Sequence, residues 1–152
     1  MSTSENYEQI ADTITTETAK KLQKEKGLIL AGTGGRMMND IQMMMIGLTF
    51  SHEVTVEEAR ELLIYSTEKY LLEINNNEKI RLYLHEYPLT AKNIEIEIFF
   101  RNPDGSSVGP GKIRVATAYE GILTYSVKYA ENKSLKSIHT ETFEQALKLD
   151  QK

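Results

Sequence analysis

Gly27–Phe50, GLILAGTGGRMMNDIQMMMIGLTF, is the stretch whose reading decides the fold. It is the least polar part of the chain and holds Met37, Met38, Met43, Met44 and Met45, every methionine except the first. Leu28–Ala31 and Ile41–Phe50 read as two strands joined by a loop, Gly32-Thr33-Gly34-Gly35. Both faces of the second run are apolar, which suits an interior or interface strand and not a half-exposed edge. A short helix over 37–46 is the rival, because methionine is a good helix former.

Upstream, residues 4–26 read as a helix. Ser2 and Glu5 have capping-box spacing. Tyr7, Ile10, Ala11, Ile14, Thr18 and Leu22 form a narrow apolar stripe at three- and four-residue steps. The helix should bury modestly or pack on a partner, and Gly27 should end it. Downstream, Thr55-Val56-Glu57-Glu58 is a capping box that opens a second helix, with Ala59, Leu62, Leu63, Ser66, Tyr70 and Ile74 on its buried face. Asn77 is placed to cap a third, in which Ile80, Tyr83, Leu84 and Tyr87 share a face before Pro88 stops it.

From Asn93 the apolar period becomes two. Ile94, Ile96, Ile98 and Phe100 alternate with Glu95, Glu97, Phe99 and Arg101, the pattern of a strand with one buried face. Asn102–Gly111 is a loop by composition. Lys112–Ala118 and Ile122–Tyr129 are two further strands. A three-residue loop, Tyr119-Glu120-Gly121, would set Ile113, Val115 and Thr117 beside Val127, Tyr125 and Leu123, and is preferred to a two-residue turn because it buries one consistent face. Residues 134–140 are ambiguous and could pair as a short edge strand. Thr142 and Gln145 have capping-box spacing for a last short helix.

The expected fold is therefore α+β: one domain over residues 1–152, in the order α-β-β-α-α-β-β-β-α. An antiparallel sheet of about five strands carries helices mainly on one face. The ends, 1–4 and 150–152, should fray. At 152 residues the chain can bury a core without staples, and it has no cysteine to make them. A net charge of −4 argues against a general nucleic-acid binder. No apolar run is long enough for a membrane span. The polar, acidic start carries no export signal, so the default compartment is the cytoplasm, although removal of a signal would leave the same start.

Chemistry is sparse. Gly32, Thr33, Gly34, Gly35 and Arg36 follow an apolar run as phosphate loops do, with His52 and Glu53 further on. The dinucleotide fingerprint fails because its last glycine is Met37, and no Gly-Lys-Ser/Thr is present. Clustered methionine can bind Cu(I), but Met43 and Met45 share one strand face and Met44 the other, which splits the cluster. His52, His85 and His139 lack ligand spacing, and no nucleophile elbow exists. No catalytic residue, metal site or cofactor is expected. Phe99, an aromatic on a charged strand face, joins Met43 and Met45 as a candidate contact surface. The chain is expected to be a non-enzymatic binding or protein-interaction module that pairs with a protein partner or with itself as a homodimer. The alternative is a small-molecule or anion-binding protein, or an enzyme, that uses Gly32–Arg36 with His52 and Glu53.

Overall fold

A computed structural model describes residues 3–151. Among them run α1 (Thr3–Lys26), β1 (Ile29–Arg36), β2 (Met43–Phe50), α2 (Val56–Asn75), α3 (Glu78–Arg81), β3 (Ile94–Phe100), β4 (Ile113–Tyr119), β5 (Ile122–Val127), β6 (Lys136–Thr142) and α4 (Phe143–Asp150). The strands form one sheet in sequence order, β1 to β6. Six strands replace the expected five, because 136–142 pairs fully with β5. The sheet is mixed and not purely antiparallel. β2 and β3 run parallel, since the connection between them carries α2 and α3 and returns the chain to the end where β2 began.

The core lies on one face of the sheet. Met44, Ile46 and Leu48 of β2 pair with Ile94, Ile96 and Ile98 of β3, and all are fully buried in the one core that α1, α2 and α4 share with this face of the sheet, α2 packing on β3 to β5, α1 on β1 and α4 on β5 and β6. Helix α1 is more deeply seated than its thin stripe suggested. Thr15 and Thr18 are buried beside Tyr7, Ile14 and Leu22, and Thr15 bonds the Tyr70 hydroxyl of α2. Gly27 (φ 71°) ends α1 by donating its N–H to Gln23 O, a left-handed cap that suits glycine. The Thr55/Glu58 and Thr142/Gln145 capping boxes both form, and Asn77 caps α3. The Ser2 cap lies outside the described residues, as do Met1 and Lys152. Of the ends expected to fray, Thr3 and Ser4 begin α1 and Asp150 closes α4.

Three local expectations are corrected. The glycines are not a loop: Gly32, Gly34 and Gly35 lie within β1, paired with Gly47, Met45 and Met44, and the turn falls at residues 37–42. The rival helix over 37–46 is absent for the same reason. Helix α3 is one turn long. After Arg81 the chain pairs with Ile41 instead, Ile41 N–H donating to Tyr83 O and His85 N–H to Ile41 O. Tyr83, Leu84 and Tyr87 therefore lie beyond the helix.

The β4–β5 hairpin takes the two-residue turn. Tyr119 pairs with Ile122, and Glu120 (φ 51°) and Gly121 (φ 81°) both adopt the left-handed conformation such a turn requires. A β-bulge between Ile113 and Val115 resolves the face conflict that argued against it. Ile113 still sits opposite Val127, while Ala116 and Ala118 meet Tyr125 and Leu123 on the core side. The two alanines leave room for α2 over the large β5 side chains. Val115 and Thr117 turn to the opposite face.

Candidate functional site

Among the described residues no helix covers the second face of the sheet. Strand alternation places Met43, Met45, Gly47 and Thr49 of β2 there, beside Glu95, Glu97 and Phe99 of β3, Val115 and Thr117 of β4, and Ile122, Thr124 and Ser126 of β5. The split of the methionines is as expected: Met44 is fully buried in the core, whereas Met45 is half-buried on the uncovered side. Met43, Val108 and Val115 are buried, yet they stand outside the main core cluster. Met43 lies at the lower end, beside Arg36, and Val115 and Val108 at the upper corner by Arg114.

Glycines flank Met45 on this face. A Cβ on Gly34 would come 3.6 Å from the Met45 sulfur, and one on Gly47 would come 3.6 Å from the Met45 methyl carbon. Both are ordinary contact distances, so Met45 packs over Gly34 and Gly47 without requiring glycine there. Gly35 is the closest approach: a Cβ there would stand 2.8 Å from Met43 O.

Charge is distributed unequally along the strands. At the lower end, where β3 begins, are Glu95 and the turn residue Glu120, with one guanidinium, Arg36, 3.8 Å from Glu120, while Glu97 stands mid-strand. Partial burial raises the Glu95 carboxyl above its ordinary range, the neighbouring Glu97 adds to that, and Arg36 opposes it. At the upper end are Arg101, Arg114 and Lys128. Arg114 donates to Glu131 at 2.7 Å and to Val108 O at 3.1 Å, which holds the loop after β3 against this corner. The ion pair raises Arg114 and lowers Glu131. Phe99, Arg101, Arg114, Val115 and Lys128 line a shallow cleft there with Ser107 and Leu135.

Of the residues expected to form a site, the structure places Met43, Met45 and Phe99 on the uncovered face, the methionines towards its lower end beside Glu95 and Phe99 towards its upper end beside Thr49 and Val115. It separates the anion-binding set. Arg36 pairs with Met43 at the lower end of the first hairpin, whereas His52 and Glu53 follow Phe50 beyond its upper end. A seven-residue strand spans roughly 20 Å, so these groups do not converge. His52 packs tilted against Phe50 with ring centres 5.0 Å apart, and Glu53 pairs with Lys112 at 3.6 Å. Gly32 and Thr33 lie in an almost wholly exposed edge strand, with backbone groups committed on the β2 side.

The sequence concealed a second cluster. Arg60 of α2 grips Glu141 of β6 with two hydrogen bonds, 2.8 and 2.9 Å. The same carboxylate accepts from the Tyr125 hydroxyl at 2.6 Å and lies 3.0 Å from His139 Nε2. His139 stacks on Tyr125. Burial pushes the Glu141 carboxyl up, but the bonds from Arg60, Tyr125 and His139 outweigh it and hold the group at about 2. Burial and the same carboxylate raise the Tyr125 phenol. With both oxygens accepting hydrogen bonds and its basicity lowered, Glu141 is poorly suited to general-base work. It ties α2 to the sheet. Only Arg60 gave a signal, falling at helical spacing with Leu63, Ile64 and Thr67. Glu141 sits in a polar strand whose pattern marks no inward face.

No family model, curated protein or solved structure matches the chain. Among the described residues no helix is long and apolar enough to cross a membrane.

Proposed function

We propose that the chain is a non-enzymatic protein-interaction module whose contact surface is the uncovered face of the sheet. One observation carries this reading: Met43, Met45, Phe99 and Val115 are large apolar side chains on a face that no helix among the described residues covers, while the main core lies on the other side. Methionine and an aromatic beside arginine are residue types that contact surfaces favour. The buried Arg60–Glu141–Tyr125 cluster is saturated by its own hydrogen bonds, which favours binding over catalysis.

Site-specific photo-crosslinking tests it. A photoreactive residue at Phe99 should capture a protein in the cells that make the chain. The same group at Leu72, exposed on α2, should not. Equal capture from both positions, or none from Phe99, would refute the assignment.

A further inference from the structure

We infer that the upper corner of the uncovered face binds an extended segment of a partner protein that carries an apolar side chain and, two residues on, a carboxylate. This rests on the reading of that face as a contact surface and adds the chemistry of the partner. The site is the cleft of about 250 Å³ lined by Phe99, Arg101, Val115, Lys128 and Leu135. Small-molecule pockets run from about 300 to about 1,000 Å³, so this cleft suits one or two side chains of a larger body better than a whole ligand. Its floor is apolar: Phe99 sits between Thr49 of β2 and the buried Val115 of β4. Leu135, just before β6, adds an exposed apolar wall. Arg101 and Lys128 follow directly on β3 and β5 and make the rim cationic.

The cations of this corner are not equivalent. Lys112 is 3.6 Å from Glu53. Arg114 spends its terminal nitrogens on Glu131 and Val108 O, so it builds the wall of the cleft. Asp104, in the loop after Arg101, accepts from the N–H and hydroxyl of Ser106. Among the described residues neither Arg101 nor Lys128 makes an ion pair, and Lys128 reaches only the Glu131 carbonyl, at 3.4 Å. They are open cations beside an apolar floor, which is the complement of an acid next to an apolar residue. Spacing follows from the strand. Phe99 and Arg101 are two residues apart on one face, roughly 7 Å, as are side chains i and i+2 of an extended peptide. An apolar residue seated on Phe99 therefore carries its acid to Arg101, whose guanidinium can take a carboxylate through two parallel N–H donors. A nucleic acid fits less well, because Glu97 and Glu95 follow along β3 from Phe99 and would meet its phosphates. For the same reason the partner should be neutral or basic where it passes over Glu97. The cleft is an anchor point, not the whole footprint.

Crosslinking from an aromatic photoreactive residue at Phe99, in the cells that make the chain, tests this with Arg101 and Lys128 varied in the same chain. Circular dichroism shows that each variant is folded. Arg101→Glu with Lys128→Glu should cut the adduct about tenfold or more, since like charges then meet. Arg101→Gln with Lys128→Gln removes the charge without adding repulsion and should also weaken it, whereas Arg101→Lys with Lys128→Arg should retain most of it. The purified chain is also used to select from a displayed library of random peptides. Selected sequences should carry an apolar residue two positions before Asp or Glu and should not bind the double glutamate variant. Adducts with other proteins that the charge variants leave unchanged, or a selection that yields no such sequences, overturn the proposal but keep the contact surface. A labelled single-stranded oligonucleotide that binds the chain through Arg101 and Lys128, or adducts joining only two copies of the chain, overturns the acidic segment as the occupant. No adduct from Phe99 overturns both readings.

Discussion

Replacing Glu141 by glutamine should cost about 3–5 kcal/mol, the usual penalty for removing one partner of a buried ion pair. Arg60 is 10% exposed and Glu141 3%, so the guanidinium left behind cannot reach water without unseating α2. Tyr125 and His139 would face an amide in place of a carboxylate. For a chain of this length about 4 kcal/mol corresponds to a drop in Tm of roughly 10 °C. Urea unfolding at neutral pH, with the slope unchanged, measures the loss. Adding Arg60→Met to Glu141→Gln removes the stranded charge, so the double variant should be less destabilised than the sum of the singles, by about 2 kcal/mol or more. The pH dependence follows from the same contact. Glu141 is lowered from 4.5 to about 2 in the folded chain. Its contribution is fully present above pH 4.5 and is lost as pH falls towards 2, amounting to about 3 kcal/mol. Glu141→Gln should lack that part of the acid transition. A loss under about 1 kcal/mol, with additive singles and an unchanged acid limb, would show the pair to be no more than a surface ion pair.

Met44→Ala should destabilise by about 2–4 kcal/mol and Met45→Ala by under about 1 kcal/mol, because only Met44 fills the main core; equal effects in urea unfolding would contradict the face assignment. Gly35→Ala should cost about 1–3 kcal/mol, since the new Cβ meets the immobile Met43 carbonyl at 2.8 Å, and a thermal melt matching wild type would show that β1 yields there. Thr55→Ala should cost about 1 kcal/mol by breaking both bonds of the capping box, and no change in the urea midpoint would mean that α2 is fixed by packing alone.

The elements with strong local chemistry were legible in the sequence. Capping boxes at Thr55 and Thr142, the alternation of 94–100 and the two faces of the methionines all stand in the structure, because each is decided within a few residues. What was missed depends on distant partners. The parallel pairing of β2 with β3 is set by where α2 delivers the chain, which no local pattern encodes. The glycines of β1 looked like a loop because glycine usually marks one, yet here they lie within a strand, where Gly35 makes room for the Met43 carbonyl of β2. The hairpin register turned on a bulge at Arg114, and a single extra residue reverses which side chains face inward. The uncovered face was half visible, through Met43, Met45 and Phe99. Its two opposite charge clusters appeared only once Glu120, Arg101 and Lys128 were placed on the same sheet.

The methionines supply the most direct test of the contact surface. Met38 is exposed in the β1–β2 turn, Met44 is sealed in the core, and Met45 lies on the uncovered face, so mild oxidation followed by mass spectrometry reads all three positions at once. In dilute purified protein Met38 should react fastest, Met45 next and Met44 least. In the cells that make the chain, Met45 should be protected while Met38 reacts as before. A Met45 that oxidises relative to Met38 as readily in the cell as in dilute solution would mean that nothing covers this face.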